Sequence, residues 1–130
     1  MHDLVLEPTQ YTPAVSFLAE GKVFTMAGEC YPPDVESFFV PIIDWLKGFS
    51  ANYLKNKKEN GLTINFKFEY LNTSSMKYMV EVLLLLKKLV DHGSLVTINW
   101  YCLPEDEQMP EDGTDLSFAV DLPFYLIAME

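Results

Sequence analysis

Asn72-Thr73-Ser74-Ser75 sets one carboxamide and three hydroxyls in a row. They stand between the most strand-like stretch of the chain, residues 62–71, and the most helix-like, residues 76–90. Where a strand stops and a helix starts, such side chains accept hydrogen bonds from the unpaired N–H groups of the first turn. Each cap is worth ~1 kcal/mol. One cap is enough for that purpose. The remaining hydroxyls would sit at a helix end whose dipole favours negative charge, where a hydroxyl is placed to accept a phosphoryl group. Capping alone explains the same residue types, and spacing does not separate the two readings.

Other groups with chemical potential are scattered. His2 and His92 are isolated and lack the HxxxH or HxxE spacing of a zinc site. His92 is about five helical turns from the hydroxyl cluster along the same predicted helix, so it cannot serve those hydroxyls as a general base. Glu105, Asp106, Glu107, Glu111, Asp112 and Asp115 crowd one stretch but lack the alternating ligands and central glycine of a calcium loop. No glycine-rich phosphate loop and no nucleophile elbow occurs. Cys30 and Cys102 are not in CxxC spacing and read as buried free thiols. Asn72-Thr73-Ser74 fits the glycosylation sequon, but that reading requires secretion. No catalytic residue, metal or cofactor is expected.

A chain of 130 residues supports one domain, residues 1–130, and 49% apolar content is ordinary for a globular protein. A net charge of −10 argues against nucleic acid or an anionic membrane as partner. The first residues show no basic and apolar leader, and the longest apolar run, residues 82–86, is too short for membrane insertion. A cytoplasmic protein is expected.

The elements that must hold the cluster follow from periodicity. Residues 1–9 read as a polar lead-in. Residues 13–18 and 22–27 read as a hairpin around Ala19-Glu20-Gly21, and Gly28 to Pro33 as a loop. Residues 34–55 carry an apolar face at helical spacing, with Pro41 expected to kink the helix or mark its start. Residues 62–71 alternate, with Leu62, Ile64, Phe66, Phe68 and Tyr70 on the apolar face. Residues 56–61 read as a polar loop. The second helix should end at His92 with Gly93 just beyond. Residues 95–102 read as a strand, 103–115 as an exposed acidic loop, 114–120 as a short helix and 124–129 as a last strand. The order is β-β-α-β-α-β-α-β, an α/β mixed sheet with helices packed against it. On the second helix Lys77, Glu81, Lys88 and His92 form a polar stripe that begins at Thr73 and Ser74. Leu84 falls inside it and is expected to be exposed and to belong to a partner surface.

Gly28-Glu29-Cys30-Tyr31-Pro32-Pro33, Phe38-Phe39, Ile43-Asp44-Trp45-Leu46, Tyr70 to Lys77 and Asn99-Trp100-Tyr101 together resemble the SiaC-type bacterial regulatory phosphoproteins. The resemblance runs from about Thr9 to Ala128. It implies a STAS-like fold and a partner-switching cycle in biofilm and cyclic-di-GMP signalling. It places the phosphorylated residue on Thr73. A dedicated Ser/Thr kinase would phosphorylate Thr73 and a PP2C-type phosphatase would restore it. The dephosphorylated form would bind and activate a diguanylate cyclase. Tyr31, Asn72, Ser74, Ser75, Lys77 and Leu84 would flank the phosphosite or meet the partner, with Ser74 and Ser75 as competing acceptors. Family members often carry Ser-Tyr-Pro-Glu where Cys30-Tyr31-Pro32-Pro33 stands, so a carboxylate is missing from this loop. Two alternatives stay open: an anti-sigma-factor antagonist, and a small cytoplasmic enzyme using the Tyr31 loop and the hydroxyls of residues 73–75.

Overall fold

The computed structural model describes residues 1–56 and 61–129. Its elements run β1 (Leu4–Leu6), β2 (Ala14–Leu18), β3 (Val23–Cys30), α1 (Val35–Lys55), β4 (Leu62–Leu71), α2 (Thr73–Asp91), β5 (Val96–Cys102), α3 (Gln108–Val120) and β6 (Tyr125–Ala128). The strands form one six-stranded sheet in sequential order. β1, β2 and β3 pair antiparallel, and β3, β4, β5 and β6 pair parallel. Each parallel step needs a crossover, and each crossover is one helix. Since the strands advance in a single direction, right-handed crossovers put all three helices on one face, where α1 packs on α2 and α2 on α3.

That face carries the core. Phe24, Met26, Ile64, Phe66, Phe68, Ile98 and Trp100 point into it and are buried beneath Phe39, Ile42, Leu46, Met79, Leu83 and Leu86 of the helices. The opposite face bears Thr25, Asn65, Lys67, Asn99 and Tyr101, all partly exposed. Asn99 donates to Asn65 at 2.9 Å, and the Lys67 ammonium lies 4.8 Å from the Tyr101 ring centroid. The alternation in residues 62–71 is thus a sheet with one dry and one wet face.

The mixed α/β sheet agrees with the sequence reading, but several elements differ. Residues 4–6 of the presumed lead-in form β1, with Leu4 opposite Phe17. Three residues are too few to show a period, and the strand is held from outside: Asp3 accepts from the Ala19 N–H at 2.8 Å, and the Trp45 indole donates to the His2 carbonyl at 3.1 Å. The expected loop at Gly28 is the end of β3. The hairpin turn takes its left-handed residue at Lys22 (φ 55°), not at Gly21. Pro41 does not start α1, which begins at Val35 behind the Asp34 cap. Of the predicted loop at 56–61, residues 57–60 lie outside the described residues.

The largest difference is in the acidic stretch. It is not an exposed loop through residue 115, because α3 begins at Gln108. Asp106 receives the N–H groups of Gln108 and Met109, each at 3.0 Å, and so opens the helix. The Trp100 indole donates to the Met109 carbonyl at 2.8 Å and anchors the first turn. Gly113 lets α3 settle on that indole, since a Cβ there would lie 2.6 Å from the ring. Asp112 is 7% exposed and accepts from the Gln108 amide at 2.8 Å.

Burial raises the Asp112 carboxyl above its usual value, with Asp115, Asp106 and Glu111 adding to the rise and Gln108 partly opposing it. A carboxyl whose folded value is raised stabilises the fold at pH below its unfolded value of about 3.9, and loses that contribution as pH rises through the folded value. Asp112→Asn keeps the oxygen that Gln108 reaches and cannot ionise. Its stability advantage over the wild type in urea unfolding should therefore be small near pH ~4 and should grow towards pH ~7.

Candidate functional site

Four parallel strands end on the same side of the sheet, so the β3–α1 and β4–α2 turns lie next to each other. A backbone bond joins them: the Asn72 N–H donates to the Cys30 carbonyl at 3.0 Å. Asn72 is in extended conformation (φ −79°, ψ 166°) and is the N-cap of α2. Its side-chain oxygen accepts the Ser75 N–H at 2.9 Å, and its carbonyl accepts the Met76 N–H at 3.0 Å. Thr73, Ser74 and Ser75 are therefore the first three helical residues, and α2 starts three residues earlier than periodicity indicates.

The three hydroxyls have separate fates. Thr73 and Ser74 are exposed. Neither their N–H groups nor their hydroxyls have a hydrogen-bond partner among the described residues, as expected for the first turn of a helix. Ser75 is fully buried, and its oxygen receives the Cys30 thiol at 3.5 Å. Ser75 thus belongs to the core and is no surface for a partner or an acceptor in the folded chain. Burial pushes the Cys30 thiol up to about 11, against a smaller lowering by Ser75, so Cys30 is unreactive at neutral pH.

Beside this turn runs a line of three tyrosines. The Tyr31 N–H donates to the Tyr11 carbonyl at 2.8 Å. The Tyr31 ring meets Tyr11 edge-on at 5.3 Å and Tyr70 edge-on at 5.7 Å between centroids. Tyr70 is 51% exposed, although alternation places it on the apolar face. The cause is a register slip: Gly28 lies opposite Phe68, but Glu29 lies opposite Tyr70, leaving Glu69 as the extra residue of a bulge. Past the bulge the faces exchange, so Leu71 turns inward and Tyr70 outward. Gly28, inside a strand at φ 125°, is the sequence signal for this bulge. Tyr11 gives no such signal, because its place depends on the loop before β2.

Charge around the turn is mainly negative. Glu29, Glu36, Glu69 and Glu81 are exposed carboxylates, with Lys77 exposed on the first turns of α2. Desolvation raises the Tyr31 phenol above its usual value, with Glu29 and Tyr11 adding to it. Tyr78 stacks on Phe39 at 5.4 Å and is raised in the same way, by desolvation and then by Glu36, Glu81 and Asp34. Hydrogen bonds from the Ser37 hydroxyl (2.6 Å) and N–H (3.1 Å) hold Asp34 below the usual carboxylate range. Asp34 is therefore an ionised cap for α1.

Leu84 is 50% exposed. It lies eleven residues beyond Thr73, about 16 Å along α2 and about 20° around it, and so shares a stripe with Thr73 and Lys77. His92 caps the far end of α2, its ring nitrogen 2.7 Å from the Lys88 carbonyl, with Gly93 at φ 90° behind it. No group of His, Cys, Asp and Glu among the described residues is arranged to hold a metal ion, and no described helix is long and apolar enough to cross a membrane.

Residues 6–129 match the sequence profile of the SiaC family regulatory phosphoproteins. The Pseudomonas aeruginosa protein PA14_02130, itself uncharacterized, is 30% identical over 128 residues, which is 98% of each chain. Among solved structures, one chain from the crystal structure of the diguanylate cyclase SiaD in complex with its activator SiaC, from Pseudomonas aeruginosa, superposes with a TM-score of 0.85. It is 28% identical, and the match covers 98% of this chain and all of that one. The apo-SiaC crystal structure from the same organism superposes with a TM-score of 0.76 at 28% identity, covering both chains completely.

Asn72 is the one side chain of the polar run that caps α2. Asn72→Ala should cost about 0.5–2 kcal/mol in denaturant unfolding. Thr73→Ala, which removes an unpartnered exposed hydroxyl, should leave stability within about 0.5 kcal/mol of the wild type.

Proposed function

This chain belongs to the SiaC family of regulatory phosphoproteins, and we propose that it is a non-catalytic switch that activates a diguanylate cyclase and is released by phosphorylation of Thr73. The observation that carries this reading is the match over almost the whole chain to a structure containing SiaD and its activator SiaC. The geometry of the β4–α2 turn supports the choice of residue. Thr73 is exposed at the N-terminus of a 19-residue helix, with the N–H groups of Thr73 and Ser74 beside it unpaired among the described residues. A phosphate there adds about −1.5 to −2 charges. The free N–H groups and the helix dipole offset that charge, so the fold tolerates it. A partner seated flat on Tyr70, Tyr31 and the start of α2 would have to strip water from the phosphate, and nearby Glu36, Glu69 and Glu81 add repulsion towards any acidic group it brings. Folding and binding thus respond differently to the same modification.

In this scheme a cognate Ser/Thr kinase writes the phosphate and a PP2C-type phosphatase removes it. Tyr31, Tyr70, Lys77 and Leu84 form the partner surface. An enzymatic role for the hydroxyls is disfavoured by distance: His92 lies at the other end of α2, about 28 Å from Thr73 along the axis. The same mechanics would serve an anti-sigma-factor antagonist, and the identity of the bound target separates the two.

The test is to phosphorylate the wild type with its cognate kinase, map the site by peptide mass spectrometry, and titrate both forms against the diguanylate cyclase while following cyclic-di-GMP synthesis. Phosphate should appear on Thr73, the unphosphorylated form should stimulate synthesis, and the phosphorylated form should bind at least about tenfold more weakly, a change of ~1.4 kcal/mol. Phosphate confined to Ser74, or equal affinity of the two forms, would refute the switch.

A further inference from the structure

The far edge of the sheet raises a separate question. β6 pairs with β5 on one side and with nothing among the described residues on the other. The Met129 N–H donates to the Cys102 carbonyl at 2.8 Å, so by strand alternation residues 125, 127 and 129 bond inward. The N–H and C=O groups of Leu126 and Ala128 then point off the edge. Proteins usually protect such an edge with charge, proline or a covering element. Residues 122–129 read Leu-Pro-Phe-Tyr-Leu-Ile-Ala-Met, eight residues without a charge in a chain of net −10. Beside them lies a groove of about 480 Å³ lined in part by Thr114, Phe118, Leu122, Phe124 and Leu126. Phe118 is 88% exposed on its rim, Tyr125 is 64% exposed and Leu126 51%. The carboxylate of the groove, Asp121, is 3.7 Å from the Lys87 ammonium, which also donates to the Asp121 carbonyl at 3.0 Å.

We infer that β6 is a homodimer edge, which pairs antiparallel with β6 of a second copy of this chain to form one continuous twelve-stranded sheet.

Two observations select a second copy as the occupant. The outward groups are self-complementary. A two-fold axis at Ile127 sets Leu126 opposite Ala128 of the second copy, and Ala128 opposite its Leu126. Both are pairs in which each residue exchanges two hydrogen bonds, so four bonds form across the seam. The same axis, normal to the sheet, brings the two α3 helices to one side of the joined sheet, so that the exposed Phe118 and the groove of each copy lie on that same side. Charge makes the second selection. Two chains of −10 repel over most of their surfaces, and the uncharged strip is where their approach costs least. The opposite edge, β1, is only three residues long and is bounded by Asp3 and Glu7.

The apolar surface available is on the order of 300–400 Å² per copy, about half of the ~800 Å² per partner of a standard specific interface, so the dimer is weak and reversible. A dissociation constant of roughly 10–500 μM is expected. Because the copies repel at long range, raising the salt from about 50 to about 500 mM should tighten the dimer, opposite to the response of a charge-driven complex. This inference does not depend on Thr73 or on the cyclase.

Sedimentation equilibrium of the full chain from about 10 μM to about 1 mM tests it. The wild type should pass from monomer to dimer. Phe118→Glu should raise the dissociation constant at least about tenfold. Ala128→Pro should do the same, since it removes an N–H that points off the edge and breaks no bond within the chain. If Ala128→Pro fails to fold, Phe118→Glu decides alone, because that side chain packs little in the monomer. A wild type that stays monomeric at about 1 mM overturns the inference, as does a dimer that neither substitution weakens.

Discussion

The candidate site depends on the parallel pairing of β3 with β4. A parallel pair ends on one side of the sheet, so whatever follows each strand is brought to the same place. Here one strand leads into Tyr31 and the other into Thr73, and the Asn72 N–H to Cys30 carbonyl bond continues the ladder one residue past the strand end. That bond fixes Asn72 in the conformation from which its side chain caps α2. The buried Cys30 thiol and Ser75 hydroxyl then lock the first turn of the helix from beneath. The exposed surface above is rigid because its underside is core. It is aromatic, and the exposed Thr73 hydroxyl on it has no hydrogen bond to the layer below among the described residues.

Much of this arrangement is legible in the sequence where local chemistry decides the outcome. Strict alternation gives the bounds of β4, and the Gly93 signal gives the end of α2. A cap within residues 72–75 is recognisable because an extended run stops there, but the apolar helical period begins only at Met76 and does not single out Asn72. The misses share one cause, which is that distant partners decide them. β1 has no period of its own and exists because β2 and Asp3 hold it. α3 begins in an acidic stretch because the Trp100 indole takes the Met109 carbonyl and needs the space at Gly113. Tyr70 faces solvent because the bulge beside Gly28 reverses the alternation, and Tyr11 joins the site through a loop contact. Ser75 cannot be told from Ser74 by type; its place four residues before Met79 puts it on the core face of α2 once the helix is known to start at Thr73, and there it meets the Cys30 side chain.

The division of the three hydroxyls also narrows the chemistry. In the folded chain Thr73 and Ser74 expose their hydroxyls while Ser75 does not, and of these Thr73 is the first residue of the helix, next to the line of tyrosines. The carboxylates around it, Glu29, Glu36, Glu69 and Glu81, are exposed, so a phosphate there would enter an already negative surface. Its tolerance would rest on the N–H groups of Thr73 and Ser74, unpaired among the described residues, and on the helix dipole, both local to the first turn. The cost of the modification should therefore be felt at the interface and not in the sheet.

That separation is the central claim, and amide spectra of the phosphorylated and unphosphorylated chain by two-dimensional NMR address it directly. Phosphorylation of Thr73 should shift the amides of Thr73 and Ser74 strongly, those of Tyr31 and residues 70–78 measurably, and those of β2, β5, β6 and α3 hardly at all. Shifts spread across the sheet and into α3 would mean that the phosphate acts by changing the fold, and would contradict a switch in which a fixed surface is made unbindable.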